Sequence, residues 1–323
     1  MSVAPETGLA YGAALQYSGS PASLSLTAYQ DEASFYATFT QENQLVFDLE
    51  TEKYLDGKNW FLYAEPTYYK YYSLFWGIGP DAPDSAREDY SYDYGGITAS
   101  LSKELGSHIY LGLYYNYFLY YITRTQYGGI LYSGSVPGSG SGAESSPGLR
   151  LMIEQRDNRY TPSSGYYLDL RLALAAKIFG SSSDFYTFYG DYRQYFTLFP
   201  DNVIAFNIVY QSVGSGASFM AMPELGGMNL MRGYYEGRYI DNDYLTTQLE
   251  YRFPLFWEFR GAIFGCLGQV AQSPDSFSTG GIKASYGAGI RWNFFGLIDF
   301  PLRFDLAFAG LDTEFYFATM EAF

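Results

Sequence analysis

A 323-residue chain with a formal charge of −15 repels nucleic-acid phosphates. Its single cysteine, Cys266, and single histidine, His108, leave no basis for a disulfide framework, a thiolate zinc cluster or a Ser-His-Asp triad. No stretch approaches 18 consecutive apolar residues, which excludes a transmembrane helix, yet 36 Tyr and 26 Phe far exceed what a soluble protein carries.

Membrane β-barrels explain that combination. Their strands alternate lipid-facing apolar and lumen-facing polar residues, and their aromatic rings gather at the two membrane interfaces. Met1-Ser2-Val3-Ala4-Pro5 has neither a charged n-region nor an apolar h-region, so the sequence is expected to be a mature or trimmed form of an exported protein.

Period-two alternation runs through the chain and predicts strands at 7–18, 22–30, 33–41, 45–55, 59–75, 90–105, 108–124, 148–156, 166–178, 184–197, 202–212, 243–254, 260–270, 283–294, 301–309 and 314–321. In the fourth, Leu45, Phe47 and Leu49 oppose Asp48, Glu50 and Glu52. The seventh starts at His108, a polar residue opening a strand. Its expected lipid face is Ile109, Leu111, Leu113, Tyr115, Tyr117 and Leu119, with Gly112, Tyr114 and Asn116 behind. The ninth sets Leu168, Leu170, Leu172 and Leu174 against Asp169, Arg171, Ala173 and Ala175, and the fifteenth sets Leu302, Phe304, Leu306 and Phe308 against Arg303, Asp305 and Ala307.

Sixteen strands make the even number that a bacterial single-chain barrel requires. Asp31-Glu32, Gly106-Ser107 and the stretch around Pro200 read as short periplasmic turns. Segments 76–89, 125–147, 213–242 and 271–282 read as long outer loops, and the Ser/Gly tract 133–146 as a flexible part of one. A soluble β-sandwich also alternates, but its strands usually run to about five or six residues, and no linker divides this chain. The expected fold is therefore all-β: one transmembrane antiparallel barrel over residues 1–323, with segment 213–242 folded into its lumen.

The reason to fold that segment inward is its sequence, Gly226-Gly227-Met228-Asn229-Leu230-Met231-Arg232-Gly233-Tyr234, followed by Glu250-Tyr251-Arg252-Phe253-Pro254-Leu255. It resembles the superfamily of the BamA and TamA outer-membrane insertases and the two-partner secretion transporters. Those proteins carry a Gly-Gly and an Arg-Gly-Phe/Tyr tip on a loop that returns into the barrel. Arg156-Asp157-Asn158, with Pro162 and Gly165, resembles the family's hairpin between strands eight and nine, and Trp76-Gly77-Ile78-Gly79 resembles another recurrent segment. The likeness spans most of the chain.

A guanidinium inside a barrel must find acceptors, because an unpaired buried charge is costly. Alternation places Gln248, Glu250 and Arg252 on the lumen side of the twelfth strand, making Glu250 the expected partner of Arg232. Gly233 is expected to let the loop approach the wall closely. The family pattern on the next strand is Phe-x-Asp-x-Gly. Here it reads Phe264-Gly265-Cys266-Leu267-Gly268, so Cys266 stands where the resemblance implies a second acidic partner. Phe264 and Cys266 are the positions of that strand expected to face the loop, Cys266 as a small buried wall residue.

Two further features have two readings each. Asp48, Glu50 and Glu52 make either a cation-selective stripe or paired wall charges. Gly287 and Gly289 either give room to the folded-in loop or bend the wall. Phe323 is consistent with the terminal aromatic by which such barrels are recognised for assembly.

The sequence holds no nucleophile with a base and an orienting group, no phosphate-binding glycine loop and no metal-ligand spacing, so no enzyme, catalytic residue, metal or cofactor is expected, and the lipid bilayer of the outer membrane is the immediate partner. The implied function is assistance in insertion or translocation of client polypeptides through a weak seam, where Leu9 and Tyr11 of the first strand meet Phe315 and Phe317 of the last. Family members also carry polypeptide-transport-associated domains, whereas about six residues precede the first strand here. A second reading is therefore a membrane anchor or translocon-like pore serving a periplasmic or surface partner or a fused domain. A simple open porin is a third, and a homodimer is an arrangement left open.

Overall fold

The computed structural model describes residues 2–4, 8–19, 31–40, 43–292 and 301–323. Alternation becomes one 16-stranded antiparallel sheet: β1 Ser2–Ala4, β2 Gly8–Gly19, β3 Asp31–Thr40, β4 Leu45–Leu55, β5 Trp60–Phe75, β6 Glu88–Gly106, β7 Ile109–Thr125, β8 Ser141–Glu154, β9 Gly165–Ala175, β10 Phe185–Phe199, β11 Asn202–Val213, β14 Asp243–Pro254, β15 Phe259–Ala271, β16 Lys283–Trp292, β17 Leu302–Ala309 and β18 Asp312–Thr319. Two short strands, β12 Glu224–Leu225 and β13 Tyr239–Ile240, form a separate hairpin inside the long segment between β11 and β14. Every neighbour in the large sheet follows in chain order apart from that insertion, giving an up-and-down barrel.

Side chains sort by parity. On β7, Leu111, Leu113 and Tyr115 are exposed while Tyr110, Phe118 and Tyr120 are buried, so leucines face lipid and the interior takes aromatic and polar groups. The interior carries charges because it can pair them both across neighbouring strands and along one strand. Arg150 grips Asp169 with two nitrogens at 2.9 Å, Arg171 joins the same carboxylate at 2.6 Å, and Arg193 meets Asp191 at 2.6 Å. Two of the three acidic residues on β4 find partners: Tyr69 donates to Asp48 at 2.8 Å, and Arg159 reaches Glu52 from the hairpin between β8 and β9.

Two expectations need correction, and a third falls outside the described residues. The strand placed at 22–30 lies outside the described residues, but β2 and β3 on either side of it pair directly, Gly19 opposite Asp31. The three-residue β1 is one of the sixteen strands in the described sheet. Asp31 and Glu32 are not a turn; they open β3, where Glu32 is buried and meets Arg159 at 3.2 Å. The tract read as flexible loop up to 146 is strand from Ser141. Its small polar residues look loop-like by composition, but Ser145 and Ser146 are buried and Glu144 accepts from Asn116 at 3.0 Å, so the barrel interior supplies their partners.

Because strands alternate in direction, segments 76–87, 126–140, 214–242 and 272–282 emerge at one end, and the short turns 56–59, 107–108 and 200–201 at the other. The short-turn end is periplasmic in outer-membrane barrels. Leu113→Arg, on the lipid face, is expected to cost about 2–4 kcal/mol in urea titrations of the refolded barrel. Asn116→Arg, on the lumen face beside Glu144, should cost less; equal losses would contradict the assigned orientation of β7.

Candidate functional site

The segment between β11 and β14 returns into the barrel because glycines let it turn back on itself. Gly226, Gly227 and Gly233 have φ values of 122°, 105° and 108°, a region that side chains with a Cβ rarely enter. The Gly227 N–H donates to Tyr234 O at 3.1 Å and closes the tip, while β12 and β13 pair below it. At Gly233 a Cβ would press on the backbone of Phe308 and on Ala309 of β17, so glycine here permits close approach to the wall.

At the tip, the Arg232 side chain has no solvent exposure. Its Nη2 donates to Glu250 at 2.8 Å and its Nη1 to Asp305 at 2.6 Å, and the guanidinium lies 3.5 Å from the Phe264 ring centroid. The first carboxylate is the one alternation pointed to. The second was missed: Asp305 lies on β17, two strands beyond β15, and it makes up for the acidic side chain absent at Cys266. Cys266 is buried, packs in the same cluster as Met231, and donates from Sγ to Gln248 Oε1 at 3.2 Å. Gln248 in turn donates to Asn229 O of the loop at 2.9 Å.

Arg232 is one of four arginines here. Glu250 is the hub: Arg252 Nε donates to it at 2.8 Å and Arg291 Nη2 lies 3.3 Å away. Arg291 also binds Asp305, and its Nε donates to Glu321 at 2.8 Å. Arg303 lies 3.6 Å from Asp305 and gives Nη2 to the loop, at 2.8 Å from Asn229 Oδ1 and 3.2 Å from Met228 O. Arg232, Arg252, Arg291 and Arg303 thus share Glu250, Asp305 and Glu321. The surplus positive charge at Arg303 is met by loop dipoles, which ties loop position to the charge balance of the wall.

The glycines of β16 serve this cluster. A Cβ on Gly287 would collide with the Phe264 ring, and one on Gly289 with Asp305 and Arg291. They make room for the platform beneath the loop tip.

Trp76-Gly77-Ile78-Gly79 also meets the loop. The Gly79 N–H donates to Ile240 O at 2.8 Å, and Trp76 packs on Tyr235 and under Arg238, which pairs with Asp84 at 2.6 Å. Tyr234 donates from its hydroxyl to Ala284 O at 3.3 Å.

The β8–β9 hairpin is a separate construction at the short-turn end. Arg156 Nε donates to Glu154 at 2.9 Å and its guanidinium stacks over Tyr167. Asn158 Oδ1 accepts from the Tyr160 and Thr161 N–H groups, and Asp157 accepts from the N–H groups of Asn158, Ser163 and Ser164. Partial burial raises the Asp157 pKa, but those bonds outweigh it and hold the carboxyl below its usual range. Pro162 lies within this turn, and Gly165, with φ 92°, ends it where a Cβ would strike Gln155 O.

The four seam residues are not brought together by any described pairing. Leu9 lies opposite Val3 of β1 and Tyr11 opposite Phe39 of β3; Phe315 and Phe317 lie opposite Leu306 and Phe304 of β17. Among the described residues, no ladder joins β18 to β1 or β2.

Removing Glu250 takes a carboxylate from three guanidiniums at once and leaves Asp305 and Glu321 to serve four, whereas after loss of Arg232 both carboxylates keep Arg291. Glu250→Ala is therefore expected to destabilise the barrel by about 3–5 kcal/mol in urea titrations, and more than Arg232→Ala. In planar bilayers, deletion of residues 226–236 should turn a small, flickering conductance into a large, steady one. A large wild-type conductance unchanged by that deletion would mean that the loop does not obstruct the lumen.

Comparison with known proteins agrees with this architecture. The Omp85 superfamily domain matches residues 7–321. No curated protein matches the chain. Among solved structures, BamA from Haemophilus ducreyi lacking POTRA domains 1–3 is similar at 17% identity and a TM-score of 0.62, covering 98% of this chain and 68% of that one. CdiB from Acinetobacter baumannii is similar at 12% identity and 0.56, covering 98% and 57%, and CdiB from Escherichia coli at 13% and 0.59, covering 96% and 59%. The chain thus spans less than two thirds of either CdiB, and at these identities the likeness is one of fold. Nothing in the comparisons supports the homodimer left open by the sequence. A family match over nearly the whole chain, on a barrel whose loop tip is anchored through Arg232, identifies this outer-membrane β-barrel as a member of the Omp85 superfamily.

Proposed function

We propose that the barrel assists insertion or translocation of other polypeptides at the outer membrane, using the junction between its first and last strands as a gate. The observation that supports this most directly is the contrast between the two sides of the barrel. Loop and wall are locked by buried ion pairs across β14 to β17, while no described ladder closes β18 onto β1 or β2. An edge strand with unmade hydrogen bonds is a template for an incoming strand, and a client added there would exchange water for backbone partners. The similar BamA and CdiB barrels are consistent with a polypeptide as the client.

Disulfide locking tests the gate. With Cys266 changed to Ser, cysteine pairs scanning Tyr11 to Tyr17 of β2 against Glu314 to Ala318 of β18 would be oxidised in proteoliposomes. Folding of an added client barrel is then measured. Locking should lower client folding at least tenfold, and reductant should restore it. Full activity in a locked barrel would rule out the gate and favour a static anchor or pore serving a partner protein.

A further inference from the structure

Segment 272–282, between β15 and β16, bends outward over the lipid-facing wall instead of standing clear of the barrel mouth. Gln269 fastens it there. Parity puts Gln269 on the outward face of β15 with Ile263 and Leu267, which are 52% and 48% exposed, yet Gln269 is only 5% exposed. Its Oε1 accepts the Ser278 N–H at 3.3 Å, and a Cβ on Gly281 would collide with its Nε2. An amide facing hydrocarbon is costly unless it is bonded, and the segment supplies the bond.

Beneath this overhang runs a groove of about 370 Å³, the size of a small-ligand site. Ile208 of β11, Leu245 and Thr247 of β14 and Leu267 of β15 form its floor, and Phe277 and Ile282 of the segment overhang it. Thr247 donates its hydroxyl to Asn207 O at 3.3 Å, which leaves the floor apolar. Ile282 is 47% exposed, so the overhang offers the groove apolar surface that no protein group covers. The groove is continuous with the outward apolar face that the bilayer surrounds, near the outer end of β14 and β15, so the nearest apolar occupant is a lipid chain of the outer leaflet.

Charge decides which lipid. Among the described residues, no lysine or arginine lines the groove. The segment carries one charged side chain, the exposed Asp275, and the following Lys283 lies with its ammonium 4.4 Å from the Tyr239 ring centroid of the inward-folded loop. A head group with several phosphates would meet a carboxylate and no cation, whereas an ammonium complements Asp275. We propose that this groove binds one acyl chain of a phosphatidylethanolamine, with the lipid's ammonium toward Asp275. The seated chain fills the space between wall and overhang and holds segment 272–282 against β15. This rests on the placement of the barrel in the outer membrane and not on the strand gate.

Native mass spectrometry of the full barrel in a fixed detergent tests the site, with titrations of phosphatidylethanolamine, phosphatidylglycerol of the same acyl chains, and lipid A. One phosphatidylethanolamine is expected to be retained, at least fivefold tighter than phosphatidylglycerol, and Asp275→Asn should remove that preference. Leu267→Trp, which fills the groove, should weaken binding at least tenfold. Ile263→Trp, farther along the same face, should leave it unchanged. Equal effects of the two tryptophans would overturn the proposal, as would tighter binding of lipid A or a preference that survives Asp275→Asn. If Leu267→Trp does not fold, Phe277→Ala combined with Ile282→Ala strips the overhang, and wild-type affinity in that variant refutes the site.

Discussion

Arginine 232 carries a permanent charge into a space with no solvent exposure, and most of the site follows from having to neutralise it. Removing a guanidinium from water costs several kcal/mol unless good geometry repays it. The barrel supplies two carboxylates at 2.8 and 2.6 Å and an aromatic face at 3.5 Å. Supplying them buries Glu250 and Asp305, which must then be balanced by Arg291, Arg252 and Arg303. The network is therefore larger than a pair. A loop moved out of register would leave charges unmatched on several strands at once, so the arrangement favours one position of the loop over near alternatives.

The wall had to be shaped for this. Gly287 and Gly289 clear space for Phe264 and Asp305, and Gly233 lets the loop lie against β17. Tyr316 of β18 accepts the Gly233 N–H at 2.9 Å, bringing the last strand into direct contact with the loop tip. Loop, terminal strand and tail thus meet within one side of the lumen. Among the described residues, β18 is held by its ladder with β17 and by these polar contacts.

The strands and their faces were largely legible in the sequence, because a period of two with lipid outside and polar groups inside leaves a signal on every strand. The loop tip was legible from Gly226, Gly227 and Arg232, and Glu250 from parity on the adjacent strand. Asp305 was not. It reaches Arg232 only through the registers of β15 on β16 and β16 on β17, which place Phe264 opposite Gly287 and Gly289 opposite Asp305. Nothing local encodes that sum of pairings, although a lumen-side Asp between Arg303 and Ala307 on an apolar strand was a usable hint. Ser141 to Ser146 failed for a related reason: small polar residues suit a loop or a barrel interior equally, and only their partners decide.

The cysteine at position 266 shows how far the charge pattern can shift without losing its purpose. Along the chain, it stands where the resemblance implies an acidic side chain, on the strand next to Glu250. Read in space, the acidic partner stands on β17, where it reaches Arg232 and Arg291 together. Cys266 then fills a small, buried position against Met231 and Gln248. What the fold requires is two negative charges within reach of a guanidinium whose position the loop glycines fix; which strand provides the second is a matter of register. Asp305 places the loop's second counter-charge on the strand that pairs with β18, so the hold on the loop and the hold on the last strand share the same wall.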